Sequence, residues 1–122
     1  GGLLKYLRVH PIDKVTIAGG FAKITKLAQG AMDLHSARSQ IDLGFLAKIA
    51  LEEGLNQNLK DRILKANTAQ EVLEISMENG VELAKPVALL AQSSSRDILR
   101  DAPVSVEILI TDRKGAILAR QG

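Results

Sequence analysis

The chain has 122 residues, enough for one ordinary domain, with 46% hydrophobic and 25% charged side chains, a globular balance. It has no Cys, which excludes disulfides, thiolate metal sites and a cysteine nucleophile. Aromatics are confined to Tyr6, Phe21 and Phe45, too few for a base-stacking nucleic-acid platform, and no apolar run reaches the length of a membrane span. The net charge is +2, unevenly spread. Residues 1–38 hold six Lys or Arg against two Asp, whereas residues 39–122 hold ten basic and twelve acidic side chains. A basic first third suits an anionic ligand, and equally a solvated surface.

In chain order, Leu3, Leu4 and Leu7 share a face at helical spacing, and Pro11 ends that helix near Val9-His10. Residues 14–18 are rich in β-branched side chains and read as a strand that Gly19-Gly20 breaks. Phe21, Ile24, Leu27 and Ala28 define an amphipathic helix with Lys23 and Lys26 on another face, stopped by Gly30. Ser39 is expected to cap a helix reaching about Glu53, with Gly54 as terminator. Leu59, Ile63 and Leu64 mark a short helix. Thr68-Ala-Gln-Glu71 is a capping-box sequence opening a helix that Asn79-Gly80 ends. A further helix is expected from Val81 to about Leu99, entered near Pro86. Residues 104–110 and 116–119 flank Asp112-Arg-Lys-Gly115 as a β-hairpin. The expected fold is α/β and helix-rich: a few-stranded sheet with a strand–Gly turn–helix unit and a C-terminal β-hairpin.

The informative stretch runs from Val15 to Ser36. Glycines beyond a strand's carboxyl end let a ligand approach backbone, and the next helix presents free N–H groups and its positive dipole end. That makes residues 19–26 a candidate carboxylate or phosphate site. Neither the dinucleotide nor the Walker glycine pattern is present, and a plain strand-to-helix turn accounts for Gly19-Gly20 as well. Asp33-Leu34-His35-Ser36 reads as a polar loop with local backbone caps, since neighbouring residues seldom form a catalytic relay. His10 and His35 lie far apart and give no metal-ligand spacing.

The run from Thr16 to Gly30, followed by Asp33-Leu34-His35-Ser36, resembles the C-terminal region of the CbiD-type cobalt-precorrin-5B C1-methyltransferases of anaerobic cobalamin biosynthesis. Their Gly-Lys-x-x-Lys-Leu-Ala-x-Gly and His-Ser pattern falls on Lys23, Lys26, Leu27, Ala28, Gly30, His35 and Ser36. The opening Gly-Gly-Leu-Leu-Lys-Tyr-Leu-Arg, the Asn67–Glu71 run and the Asp112–Gly115 turn are similar too. Ala22 and Leu34 depart from the Gly and Thr that many members have there.

The resemblance implies that residues 1–122 form one domain, the C-terminal region of a larger enzyme. It implies methyl transfer from S-adenosylmethionine to C1 of cobalt-precorrin-5B, a polycarboxylate tetrapyrrole. The basic first third suits that substrate. Gly19, Gly20, Lys23, Lys26, Gly30, His35 and Ser36 are then the candidate ligand-binding residues, for donor or corrinoid. Expected partners are the N-terminal remainder of the enzyme and a second copy in a homodimer, with neither nucleic acid nor membrane. The chain shows no signal-peptide pattern, and a cytoplasmic location is expected. Cut from its remainder, such a sheet is expected to leave an open edge and unburied apolar surface. A non-catalytic packing or dimerisation domain and a generic anion-binding α/β module remain as alternatives.

Overall fold

The computed structural model describes residues 2–10, 12–30 and 41–122. Helix α1 (Gly2–Val9) precedes strand β1 (Lys14–Gly20) and helix α2 (Phe21–Ala28). Helices α3 (Leu43–Glu52), α4 (Lys60–Leu64), α5 (Ala69–Glu78) and α6 (Ala84–Leu99) follow, with a 3-10 turn at Gln57–Leu59. Strands β2 (Ser105–Thr111) and β3 (Ile117–Gln121) close the chain. No helix among the described residues is long and apolar enough to cross a membrane.

The sheet has the order β1-β2-β3. β1 runs parallel to β2, from Lys14 opposite Ser105 to Gly20 opposite Thr111, and β3 returns antiparallel. A parallel pair needs a long crossover, and the helices α2 to α6 supply it. The hairpin turn is held by Asp112, whose Oδ1 accepts from Lys114 N–H at 2.8 Å and Ala116 N–H at 2.9 Å. Gly115 there takes a φ of +86°, a conformation in which a Cβ would be strained.

Alternation decides which face is covered. Val15, Val106, Ile108 and Ile110 are buried with the helices, and Ile17 packs against them. Their neighbours Thr16, Ala18, Gly20 and Ser105 are exposed on the other face. On that face Glu107 joins all three strands. It accepts from Thr16 Oγ1 at 3.0 Å and pairs with Lys14 at 3.6 Å and Arg120 at 3.7 Å. Helix α6 is the central helix, packed on α1, α2, β2 and β3. Gln92 on α6 donates Nε2 to the Val106 carbonyl at 2.9 Å, tying the helix to the sheet.

The helix ends follow local chemistry. Thr68 Oγ1 accepts from Glu71 N–H at 3.1 Å, and the Glu71 carboxylate reaches back to Asn67 N–H at 2.6 Å, one residue beyond the usual capping-box partner. Three expectations are corrected. Gly19 and Gly20 do not break β1, because β2 pairs with both. The helix expected from Val81 begins at Ala84, which puts Pro86 in its first turn as expected, where no intrahelical N–H is lost. The α1 helix is as expected, and of its apolar face Leu4 and Leu7 are buried while Leu3 is exposed: a shared apolar face does not say which part of it meets a neighbour. Helix α3 is capped by Asp42, whose Oδ1 accepts from Phe45 N–H at 3.1 Å, and Ser39 lies outside the described residues.

Candidate functional site

β1 and β2 are parallel, so their carboxyl ends lie side by side. Gly19 and Gly20 there neighbour Ile110 and Thr111. Gly20 is both the last residue of β1 and the N-cap of α2, with an extended backbone and no side-chain cap. The first N–H groups of α2 therefore have no side-chain acceptor at that cap, and they carry the positive end of the helix dipole.

The two glycines differ in what surrounds them. A Cβ on Gly19 would lie 2.7 Å from Lys23 Cδ, so the absent side chain makes room for the lysine stem. Lys23 folds back over it and donates Nζ to the Ala18 carbonyl at 3.3 Å. A Cβ on Gly20 would meet nothing within 4 Å. The space beside Gly20 is open, on the face of the sheet that the described helices leave bare.

Lys26 stands one turn further along α2 and is half-buried. With Lys23 it forms an i, i+3 pair on one side of the helix. Thr111 adds a hydroxyl, donating to the Gly19 carbonyl at 3.5 Å. Sequence reading did not single out Thr111, because only the long-range register of β2 against β1 puts it there. The donors left for a ligand are helix N–H groups and two ammonium groups, while the Thr111 hydrogen is engaged by the Gly19 carbonyl. The arrangement is suited to hold a carboxylate or another oxyanion.

Of the other candidates, Gly30 falls elsewhere. Gly30 ends α2 with a φ of +84°, its N–H donating to the Leu27 carbonyl at 3.0 Å. It stands beyond the opposite end of α2 from Gly20, with the eight residues of the helix, about 12 Å at 1.5 Å per residue, between them. His35 and Ser36, with Asp33 and Leu34, lie outside the described residues. The residues flanking that stretch are joined: Asp42 N–H donates to Gln29 Oε1 at 2.8 Å.

Comparison with known proteins agrees with the resemblance. The family described as CbiD, C-terminal domain matches residues 33–122. Proteins of Brucella ovis, Brucella melitensis and Brucella abortus, each named cobalt-precorrin-5B C(1)-methyltransferase, are 62% identical over 120 residues. The match takes in 98% of this chain and 32–33% of theirs, so the chain spans about a third of the length of these curated relatives. No solved structure gives a significant match. With the family's C-terminal domain extending over more than half of its residues, the chain belongs to the CbiD family.

Proposed function

We propose that this chain is the C-terminal part of an enzyme that methylates C1 of cobalt-precorrin-5B, with S-adenosylmethionine as donor. The further proposal is that the strand ends at Gly19, Gly20, Lys23 and Lys26 bind carboxylate side chains of the tetrapyrrole. The observation that carries the site assignment is the open, uncapped N-terminus of α2 beside Lys23. Family membership supports the reaction class, and the names of the Brucella relatives support the substrate.

The donor set decides which ligand group belongs here. S-adenosylmethionine supplies a methyl group on a positively charged sulfonium. A cluster of ammonium and N–H groups repels that sulfonium and the donor's ammonium and matches its single carboxylate, whereas it matches every acetate and propionate of the tetrapyrrole, which carries no such cations. On that balance the tetrapyrrole is proposed as the ligand of this site, and the titration with S-adenosylmethionine below decides between it and the donor. This chain's contribution is orientation. Fixing the carboxylates of a rigid ring from one side limits the approach of its C1 to one geometry, and methyl transfer gains chiefly from positioning. His35 and Ser36 are proposed as further hydrogen-bonding groups at the rim of the same site. Gly30 shapes the start of the segment that carries them.

The test is calorimetric titration of the full-length enzyme with its tetrapyrrole substrate and, separately, with S-adenosylmethionine. Lys23→Gln and Lys26→Gln are each expected to weaken tetrapyrrole binding about 3- to 10-fold, a modest loss because solvent screens both groups. Donor affinity is expected to stay unchanged. Unchanged tetrapyrrole affinity in the double variant would overturn the site.

A further inference from the structure

Helix α1 carries more apolar surface than this chain covers. Leu4 and Leu7 are buried, and α1 packs on α6. Leu3, Tyr6 and Val9 follow one another at i, i+3 and i+6 on the adjoining row, 60%, 58% and 68% exposed. At about 100° per residue, Lys5 and Arg8 fall on the opposite side. One continuous apolar face thus runs from Val9 round to Leu4, and only its Leu4–Leu7 half meets this chain. The Tyr6 ring lies against His10, centroids 4.6 Å apart, and stays 58% exposed. Single exposed apolar side chains are ordinary, but three consecutive positions of one helical row make a contact surface.

Two observations indicate what covers it. The family's C-terminal domain begins at residue 33, so α1 lies on the N-terminal side of that boundary. The curated relatives are about three times as long as this chain, which leaves some two-thirds of the polypeptide to supply a neighbour. A second copy is a poorer occupant. A stable dimer needs roughly 800 Å² from each partner, more than one row on an eight-residue helix presents. A domain joined through the chain needs far less, because the link holds it at high effective concentration.

We propose that the Leu3–Tyr6–Val9 row of α1 is the docking surface for the preceding, N-terminal part of the longer CbiD polypeptide. This rests on family membership and not on the methyl-transfer reading.

The test uses the full-length polypeptide, with any native cysteines of the remainder replaced by serine. Tyr6→Cys and Val9→Cys are compared with Leu89→Cys, an α6 position 52% exposed, by rate of thiol modification. Each rate is divided by that of the same variant unfolded in urea, and circular dichroism confirms that each variant is folded. Positions 6 and 9 are expected to be protected about tenfold or more relative to position 89, independent of protein concentration. Equal protection at the three positions would overturn the proposal. Protection that appears only as concentration rises would also overturn it, in favour of a second copy.

Discussion

Gly19 and Lys23 are complementary in shape: a Cβ on the glycine would lie 2.7 Å from the lysine Cδ. The glycine is there for its neighbour and not for its own backbone, whose φ is not among the positive ones. Gly19→Ala therefore stabilises the strand by about 0.5 kcal/mol, less whatever it costs Lys23 to swing away. The same change breaks the contact of Lys23 with the Ala18 carbonyl and re-aims its ammonium group. The expected result is unchanged or raised thermal stability of the full-length enzyme, with weaker tetrapyrrole binding by titration. Joint loss of both would mean that the residue serves packing alone.

Gly20→Ser separates the helix end from its ligand. Serine is a strong N-cap, and the extended backbone at Gly20 already suits it. Its Oγ would accept from the N–H groups that the proposal gives to a carboxylate. Stability is expected to rise by a few tenths of a kcal/mol, and substrate affinity to fall about threefold or more. A stabilised variant with full affinity would remove α2's N-terminus from the site.

Thr25 carries a cost that its neighbours avoid. The buried hydroxyls of Ser76 and Ser95 donate to the Val72 and Ala91 carbonyls at 2.9 and 2.8 Å. Thr25 Oγ1 is equally buried and has no partner among the described residues. Thr25→Val keeps the shape and removes the desolvated hydroxyl. It is expected to raise the unfolding free energy by about 1 kcal/mol in urea titrations, with an unchanged m-value.

Thr68→Ala removes the side-chain acceptor of Glu71 N–H at the start of α5. A loss of about 1 kcal/mol is expected in the same urea titrations, and Thr68→Ser should restore most of it. Substrate and donor affinities should stay at their original values, since α5 is not part of the proposed site.

Signals that rest on a few adjacent residues were legible in the sequence. Thr68 and Glu71, Asn79-Gly80 and the Asp112–Gly115 turn each act within one turn of chain, and each appears as expected. What depended on distant pairing was not. Gly19 and Gly20 read as a break because nothing nearby tells of Ile110 and Thr111, which complete the ladder there. For the same reason Thr111 could not be placed beside the glycines. The exposure of Leu3 was hidden because periodicity reports that a row is apolar, and not whether a neighbour covers it. The donor-rich end of α2 was foreseen from Gly20 and Lys23, but the room that Gly19 gives the Lys23 stem needed coordinates.

The parallel pairing of β1 with β2 also sets an order of events during synthesis. Thr16 and its partner Glu107 are separated by 91 residues. At roughly 5–20 residues per second, β1 leaves the ribosome about 5 to 18 seconds before its partner strand exists. Through that interval Val15 and Ile17 have only helices, or nothing, to lie against. The later strand β2 thus supplies the pairing that the earlier β1 needs, and a chain stalled before Ser105 carries an orphan β-strand for chaperones or aggregation to claim.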